Sequence, residues 1–457
     1  MRVVVIGGGL AGLTAALRLR QAGVDVHVLE ATAPGGVVQT RSDAGFVHEL
    51  AANGFLAAPD GAAALCAELG VELVGAAKAA RKRWIYIDGA LRELPTTPLG
   101  LVRTDLLTWR GKLDLLREPL RPARDVDSAG DESVHAFAAR RFGPEAARAV
   151  VAPFVTGVFA ADAHDISVAA GFPRFAAMDR GGGIVKSMLR AALDRKARAD
   201  RGRGGRGAPR RGLHAPRAGM AALVDALTRA LDARVAIAPV LGVAAVAGGD
   251  AVDVETAAGT DRWDAAVLAT PARVTARLVE RGAPALAPRL AEIGRAPAAI
   301  VFLGFDAAAA RRDHPLDGFG FLVAQGEELR VLGVVFESTV WPARAPSGAV
   351  MVRCIFGGAR DPDVMEMDDA ALIATARTDL ARALGIGIEV EPIHAAVARW
   401  PAGIAQYPVG HRDRVATLDS LAGQHRLVLA GADYHGIGIN DVVADARRVV
   451  AEVQRWR

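Results

Sequence analysis

The stretch RVVVIGGGLAGLTAALRLRQAGVDVHVLE, residues 2–30, decides the fold of this 457-residue chain. Its apolar run at 3–6 predicts a buried parallel strand, and a glycine-rich turn and leucines at helical spacing follow at once. Gly23 ends the predicted helix, and a second predicted strand over 24–29 runs into Glu30. Strand, turn, helix, strand and acid therefore come in the order of a βαβ dinucleotide-binding unit.

The turn has the spacing G-x-G-x-x-G, and each glycine meets a separate physical need. Gly7 permits the tight turn, Gly9 lets the backbone approach a pyrophosphate, and Gly12 lets the helix pack closely on the strand. The free N–H groups and the positive dipole end of the helix attract the phosphates. Glu30 is placed to accept hydrogen bonds from ribose hydroxyls, and it would repel a 2′-phosphate. NADP is therefore disfavoured.

A second glycine pair favours FAD over NAD. The segment ATAPGGVVQT, residues 31–40, resembles the second glycine motif of the amine-oxidase and phytoene-desaturase flavoprotein superfamily. In that motif the backbone and an Arg after the glycines line the flavin. Gly35, Gly36 and Thr40 fit the motif, whereas Val37 stands at the Arg position. Simple NAD dehydrogenases have no such motif.

Charge and cysteine content exclude several classes of protein. The formal net charge of +4 comes from 55 basic and 51 acidic residues, so nucleic-acid binding is not expected. Cys66 and Cys354 lie far apart, which excludes a disulfide framework, offers no metal site and fits a reducing cytoplasm. Both are expected to be buried small hydrophobes. No uncharged apolar run reaches the ~18 residues that a transmembrane helix needs.

The rest of the chain divides into three predicted units. Alternating segments over 298–358 predict an antiparallel sheet, and helical periodicity dominates residues 100–195. The expected fold class is α/β, with a discontinuous Rossmann-type FAD-binding domain, an antiparallel-sheet substrate domain and a helical subdomain. The predicted boundaries are 1–85, 235–292 and 415–457 for the FAD-binding domain, 86–104, 205–234 and 293–414 for the substrate domain, and 105–204 for the helical subdomain.

A glycine-rich basic loop, residues 195–217, borders the helical subdomain. It has two open interpretations: a solvated loop, or a contact with anionic lipid headgroups beside an apolar helical face. The second would place the protein at the inner face of the cell membrane as a peripheral protein.

The C-terminal stretch LAGADYHGIGIND, residues 429–441, predicts the closing part of the cofactor site. A strand over 427–430 is expected to end at Gly431, and an apolar helix face is expected to follow. Gly436 and Gly438 would let the backbone approach the isoalloxazine ring. The N-terminus of the helix would stabilise negative charge at the flavin N1–C2=O edge, with Asn440 and Asp441 satisfying free N–H groups of the first turn.

Five segments together carry a more specific resemblance. ELAANGFL (49–56), PFVTGVFAADAHDISVAAGFPRF (153–175), FGFLVA (319–324), RWPAGIAQYPVGH (399–411) and the C-terminal stretch resemble the oxygen-dependent, FAD-containing protoporphyrinogen oxidase family. The resemblance implies a six-electron oxidation of protoporphyrinogen IX, or of coproporphyrinogen III in some members, with O2 reoxidising the flavin. It also implies a membrane-associating role for the helical subdomain. Handover of the product to the next haem-pathway enzyme and a homodimer are further expectations.

The resemblance assigns site residues position by position. Leu322, Val335 and Ile355 match apolar positions that sandwich the macrocycle, and Gly157 matches a glycine whose carbonyl approaches a pyrrole N–H. The cofactor positions follow the two glycine motifs, the 51–54 segment and the C-terminal stretch: Gly7, Gly8, Gly9, Leu10, Ala11, Gly12, Glu30, Ala31, Gly36, Ala51, Ala52, Asn53, Gly54, Val240, Gly431, Ile437, Gly438 and Ile439.

Departures from the family pattern concern the substrate more than the flavin. Leu99 stands where some members have an Arg that pairs with a propionate, so Arg92 or Arg103 is expected to substitute. His164 and His411 are expected to be structural hydrogen-bonding residues. No metal site is expected.

Two other functions stay open from the sequence. One is a different flavin oxidase, such as an amine oxidase or a carotenoid desaturase. The other is a porphyrin carrier that binds flavin without catalysis. The apolar sheet segments contain no Lys, which weakens the amine oxidase alternative because those enzymes usually keep a Lys near the flavin.

Overall fold

The structure, a computed structural model, describes the chain except residues 96, 125–129, 191–192, 194–211, 247–248 and 313, and except the side chains of 98 and 99. Most of the basic loop and the side chain at the Leu99 position therefore lie outside the described residues. The strands are β1 Arg2–Ile6, β2 Asp25–Glu30, β3 Thr40–Asp43, β4 Phe46–Glu49, β5 Phe55–Leu56, β6 Leu73–Gly75, β7 Trp84–Ile87, β8 Ala90–Glu93, β9 Leu213–Pro216, β10 Val235–Ile237, β11 Val240–Ala245, β12 Val252–Thr256, β13 Gly259–Trp263, β14 Ala265–Leu268, β15 Arg295–Asp306, β16 Gly320–Val323, β17 Gly333–Val335, β18 Ala349–Gly357, β19 His394–Ala405 and β20 Leu427–Leu429.

Helices of very different lengths connect these strands. The α-helical segments are Leu10–Gln21, Ala62–Glu68, Pro98–Arg103, Trp109–Leu116, Val134–Phe142, Pro144–Ala146, Ala152–Phe159, Val168–Gly171, Pro173–Arg180, Ala221–Leu231, Ala272–Val279, Ala287–Ala291, Ala307–Ala310, Glu337–Val340, Asp369–Leu384, His411–Gly423 and Ile439–Gln454, and residues 184–190 are also helical. In the part of the chain that the structure describes, none of these helices is long and apolar enough to cross a membrane.

A five-stranded parallel sheet forms the centre of the part of the molecule that contains the first glycine turn, which we call the cofactor half. Its order is β10-β2-β1-β14-β20, so it combines strands from the beginning, the middle and the end of the chain. β1 is buried on both faces, as its continuous apolar sequence predicts. The first helix, Leu10–Gln21, packs against the last helix, Ile439–Gln454, on one side of the sheet. The C-terminal segment is therefore part of the core.

The second large sheet has seven strands in the order β19-β15-β18-β17-β16-β7-β8. The sequence predicts an antiparallel sheet, but β16 pairs with β7 in parallel, so the sheet is mixed. The reason lies in chain order: the β7–β8 hairpin precedes β16 by more than 200 residues and joins its free edge, with no tight turn to impose antiparallel pairing. One sheet face packs on the helix Asp369–Leu384, and the other faces the cofactor half.

The helix Ala221–Leu231 lies in a different half from the one that the sequence predicts. The apolar spacing over 220–231 predicts an amphipathic helix, and its apolar side is buried, but the helix packs on the first helix within the core of the parallel sheet. The preceding strand β9 pairs with β5 and β6. The sequence predicts that residues 205–234 belong to the substrate domain. This prediction differs from the structure because the sequence pattern shows which face of a helix is apolar but not which surface covers that face.

The helical subdomain is held together by a buried ionic network. Arg141 and Glu118, both fully buried, form an ion pair, and Asp179 accepts from Arg140 at 2.6 Å. Glu118 also accepts from the backbone N–H groups of Ile184 and Val185, at 2.7 and 3.1 Å. These contacts fix the start of the helical residues 184–190 beside the turn Glu118–Leu120 that follows the helix Trp109–Leu116.

Candidate active site

The three motif glycines of the first turn differ in the space around their Cα atoms: Gly7 and Gly12 are closely surrounded, and Gly9 is not. Gly7 has φ +107°, a conformation that favours glycine, and its N–H donates to the carbonyl of Leu29 at 2.9 Å. A Cβ on Gly12 would overlap the carbonyl oxygen of Gly7, whereas a Cβ on Gly9 would meet no atom within 4 Å. Gly12 therefore serves helix–strand packing, and Gly9 leaves free space at the N-terminus of the first helix, where Leu10 and Ala11 begin the helix. This arrangement fits a pyrophosphate.

The acid and the second glycine pair lie against this turn. Glu30 accepts from the N–H of Gly8 at 2.5 Å and from the N–H of Thr32 at 3.0 Å, across the intervening Ala31. Gly35 donates to the carbonyl of Gly8 at 2.8 Å, and a Cβ on Gly36 would approach the Cα of Gly9 at 3.5 Å. The two motifs thus form one continuous surface at the carboxyl ends of β1 and β2.

The strand β11 begins next to this surface. The N–H of Ala238 donates to the carbonyl of Glu30 at 2.8 Å, and half-buried Val240 follows two residues later. This position agrees with a contact on the adenosine side of a dinucleotide whose ribose hydroxyls reach Glu30.

The segment 51–54 rests on a buried charged cluster. Arg344 donates to Glu49 at 3.1 Å, to the carbonyl of Asn53 at 3.1 Å, and to Glu337. Asn53 donates to Glu337 at 3.4 Å. Ala51, Ala52, Asn53 and Gly54 are themselves half-buried. The cluster holds this backbone in place while one side of it stays accessible.

The C-terminal loop is anchored by two side chains and one backbone N–H from other parts of the chain. The Tyr407 hydroxyl donates to the carbonyl of Ala432 at 2.7 Å and accepts from the N–H of Gly436 at 2.8 Å. Asp433 accepts from Arg295 at 2.7 Å and from the N–H of Ala272 at 2.6 Å, and burial raises the pKa of this carboxyl. Gly431 lies beside Ala11, because a Cβ on Gly431 would be 3.8 Å from the Ala11 Cβ. The loop therefore meets the first glycine turn.

One expectation for this loop stays a prediction and one is wrong. A Cβ on Gly436 or Gly438 would collide with Asp441, so both glycines make room for that side chain, and the approach of their backbone to the flavin ring stays a prediction. Asn440 does not cap its own helix. It accepts from the N–H of Ala62 at 2.9 Å and donates to the carbonyl of Leu56 at 2.8 Å, and so caps the helix Ala62–Glu68.

The predicted macrocycle wall is the partly exposed part of three otherwise buried strands. In β16 and β17, Leu322 and Val335 are each the single half-buried residue, and Ile355 is half-buried in β18. Gly157, exposed at the end of the helix Ala152–Phe159, lies against Leu322, because a Cβ there would be 2.6 Å from Leu322 Cδ2. Leu322 and Ile355 are both paired with Gly333 of β17, two residues before Val335, so the three apolar side chains lie on one face of the sheet, and Gly157 lies against that face at Leu322.

The two arginines predicted to bind a propionate differ in their surroundings. The guanidinium of Arg92 donates to Asp88 at 3.1 Å and to the carbonyl of Asp105 at 2.7 Å. Arg103 is exposed at the last residue of its helix. Their role stays a prediction.

The histidines of the family-like segments have structural surroundings. His411 is buried and stacks on Tyr407 at 4.0 Å, and burial lowers the pKa of its imidazole to about 4. His164 is exposed, lies 2.7 Å from Asp162 and stacks on His135 at 3.7 Å. Among the described residues, no group of three or more side chains could hold a metal ion.

Sequence reasoning missed Arg353. This residue of β18 is buried and donates to the carbonyl of Ala51, and its guanidinium lies over the Phe302 ring. The available signal was an Arg in the apolar strand AVMVRCIFG, two positions before Ile355.

The glycine surface, the acid and the C-terminal loop together define a dinucleotide-binding flavoprotein oxidoreductase. Residues 10–454 match the family described as flavin containing amine oxidoreductase, and the chain belongs to that family. Its cofactor is FAD. The family resemblance and the FAD cofactor that the sequence predicts are thereby confirmed. The fold is the mixed α/β fold of FAD-dependent amine oxidases.

Several relatives match over nearly their whole length. Human protoporphyrinogen oxidase is 31% identical over 99% of this chain and 98% of its own. A coproporphyrinogen III oxidase of Mycobacterium leprae is 30% identical over 98% and 97%. A solved structure from Exiguobacterium sp. 255-15, assigned provisionally as a protoporphyrinogen oxidase, superposes with a TM-score of 0.81 at 22% identity, covering 100% of this chain and 99% of that one.

Proposed function

We propose that this protein oxidises a porphyrinogen, either protoporphyrinogen IX or coproporphyrinogen III, to the corresponding porphyrin, and that O2 accepts the electrons. The observation that carries the proposal is the apolar wall of Leu322, Val335 and Ile355, which are half-buried on one face of the mixed sheet, with Gly157 against Leu322. A flat, largely apolar macrocycle fits such a wall. The full-length similarity to oxidases of both substrates supports the same reaction class.

The residues of the wall would orient the substrate and exclude water. FAD, when bound, supplies the hydride acceptor, so the protein needs no strong acid or base of its own. The helix that carries Gly157 ends at Phe159, and carbonyls in the last turn of a helix lack intrahelical partners. The Gly157 carbonyl would therefore accept from a pyrrole N–H and fix the ring that loses hydride.

A fluorescence assay tests the proposal. FAD-loaded protein is mixed with each porphyrinogen under air, and porphyrin fluorescence and peroxide are followed. We expect both to rise with at least one substrate, and the two rates identify the preferred one. No fluorescence gain with either substrate contradicts the proposal. Tetrapyrrole binding without turnover would indicate a carrier, and peroxide formation with an amine would indicate an amine oxidase.

A substitution pair tests the role of Gly157. Gly157→Ala adds a methyl group that forces Leu322 to move, so we expect slower turnover with FAD still bound. Gly423→Ala is the matched control because no atom lies within 4 Å of the added Cβ. Equal turnover in both variants would remove Gly157 from the site.

We further propose that the helical subdomain contacts an anionic membrane surface. Large apolar side chains are exposed on the helix Trp109–Leu116, on the turn Glu118–Leu120 that follows it, and on the helical residues 184–190, whose first N–H group donates to Glu118. They are Trp109, Leu113, Leu116, Leu120, Met188 and Leu189. Exposed Arg110, Arg117 and Lys186 accompany them, and the combination of apolar and basic side chains matches anionic headgroups over a hydrocarbon layer.

Vesicle sedimentation tests this surface. We expect the protein to bind vesicles that contain phosphatidylserine more strongly than phosphatidylcholine vesicles, and less strongly at high salt. Leu116→Glu with Leu120→Glu should abolish binding. Ile388→Glu with Ile393→Glu, at exposed apolar positions elsewhere, should not. Equal loss in both double variants, or no binding by the unmodified protein, would contradict the proposal.

A further inference from the structure

Arg353 is a buried cation that has no acidic partner in the part of the chain that the structure describes. Its side chain is 5% exposed, and the hydrogen bond it makes is to the carbonyl oxygen of Ala51. Its Nε atom is buried without a partner, and no carboxylate among the described residues lies within ion-pair distance of its guanidinium. Burying a guanidinium in this way is costly unless an anion or a strong acceptor comes to it.

The sheet register places this cation between the cofactor loop and the substrate wall. Arg353 pairs with Val335 on one neighbouring strand and with Phe302 on the other. Because side chains alternate along a strand, Arg353 and Ile355 face the same side of β18. Ala51, its hydrogen-bond acceptor, belongs to the predicted flavin-contacting segment. The guanidinium therefore lies at the junction of the two halves of the site.

The nearby carboxylates are already occupied. Glu49 and Glu337 are both bound by Arg344, and Glu49 also accepts from the N–H of Met220 at 2.9 Å and from Thr40 at 2.8 Å. The guanidinium groups of Arg344 and Arg353 are thus buried near the same two carboxylates. Among the described residues, Arg344 makes the ion pairs with both carboxylates and Arg353 makes none. Arg353 retains its capacity to interact with a further anion.

We propose that Arg353 is a flavin-facing cation that favours reduction of the bound FAD and its reoxidation by O2. The reduced flavin, as the anion FADH⁻, transfers two electrons to O2 and, with one proton taken from solvent, yields oxidised FAD and H2O2. Negative charge resides first on the reduced ring and then on the reduced oxygen. A fixed cation in a dry site stabilises both without reorganisation. The oxygen step rests on the proposed oxidase function, whereas the effect on flavin reduction does not.

The test compares three variants of the FAD-loaded protein without any porphyrinogen. Arg353→Met removes the charge at similar volume, and Arg353→Lys keeps it. Arg262→Met is the control, because it removes an exposed Arg that pairs with Asp253 on the neighbouring strand, in a sheet that does not contain Arg353. FAD content, the two-electron midpoint potential, and the rate of reoxidation of photoreduced protein by O2 are measured for each.

We expect Arg353→Met to shift the reduction equilibrium about tenfold towards oxidised FAD, which for a two-electron couple lowers the midpoint potential by about 30 mV. Reoxidation by O2 should slow by about tenfold or more. Arg353→Lys should stay close to the unmodified protein, and Arg262→Met should match it. If Arg353→Met does not retain FAD, Arg353→Gln replaces it in the comparison with Arg353→Lys.

Two results would overturn the inference. One is an unchanged potential and an unchanged reoxidation rate in the neutral variants. The other is an unchanged potential together with a higher KM for porphyrinogen when the same variants are put through the fluorescence assay described above, which would make Arg353 an anchor for a substrate carboxylate. Since the potential is measured without porphyrinogen, a protein that fails to oxidise porphyrinogens can still pass or fail this test.

Discussion

Gly9 and Gly12 look alike in the sequence motif, but their surroundings predict different effects of substitution: loss of stability at Gly12 and loss of FAD affinity at Gly9. A Cβ on Gly12 would overlap the Gly7 carbonyl, so Gly12→Ala should separate the first helix from β1. We expect it to destabilise the apoprotein by about 1–3 kcal/mol or more, the usual cost of overpacking. It should also lower FAD content. Chemical unfolding of the apoprotein and the absorbance of bound flavin measure the two effects.

Gly9→Ala is the matched substitution. No atom of the described residues lies within 4 Å of its added methyl group, which would enter the space proposed for the pyrophosphate. The apoprotein should therefore keep its stability while its affinity for FAD falls. Equal destabilisation of both apoproteins would show that the space beside Gly9 is not reserved for a ligand.

At the scale of elements, Asn440 couples the last helix to the helix Ala62–Glu68. Its amide accepts from the N–H of Ala62 and donates to the carbonyl of Leu56. Asn440→Ala leaves two backbone groups without these partners, and we expect a loss of about 1–3 kcal/mol in the free energy of unfolding. Urea unfolding monitored by circular dichroism gives the value.

Asn440→Asp separates the two hydrogen bonds. The carboxylate can still accept from the N–H of Ala62, where negative charge at a helix N-terminus is favourable, but it cannot donate to Leu56. We expect an intermediate stability. If Asp and Ala destabilise equally, the contact with the N–H of Ala62 contributes nothing measurable.

The last helix as a whole belongs to the core of the cofactor half. Val443, Ala446, Val449 and Val453 are buried in the cluster that contains the first helix. The sequence predicts that truncation before Gly436 releases FAD. The packing adds a reason, because the cut would also expose the apolar side of the first helix.

For the whole molecule, buried neutral histidines predict acid sensitivity. Burial lowers the pKa of both His48 and His411 to about 4, from the 6.5 that is usual for a histidine in water. Between these values the unfolded chain binds more protons than the folded protein, so stability falls as pH drops from about 6.5 to about 4. At 1.36 kcal/mol per pKa unit, each group contributes roughly 3 kcal/mol to this loss.

His411→Phe should reduce the fall in the free energy of unfolding as pH drops from about 6.5 to about 4. Phe keeps the stacking on Tyr407 and cannot titrate. Free energies of unfolding in urea at several pH values between 7 and 4.5 are compared with those of the unmodified protein. Buried carboxylates such as Asp433, whose pKa is raised, titrate in the opposite sense, so the difference between the two proteins isolates His411. Parallel curves would contradict the prediction.

The sequence alone determined the dinucleotide site and the class of cofactor. The turn from Gly7 to Gly12, the acid Glu30 and the second glycine pair lie within 36 residues, and local spacing fixes their geometry. The apolar periodicities of β1 and of the helix Ala221–Leu231 also read correctly, because each depends on neighbours along the chain.

Only the tertiary structure decided which distant groups meet. Asn440 caps a helix that begins 378 residues earlier, and Arg353 donates to Ala51 across 302 residues. The parallel pairing of β7 with β16 and the position of the helix Ala221–Leu231 depend on the same kind of long-range docking. The apolar pattern specifies that one face of a helix or strand is buried. The surface that covers this face is selected by the shape and the hydrogen-bonding groups of the folded chain, and these depend on residues that are distant in the sequence.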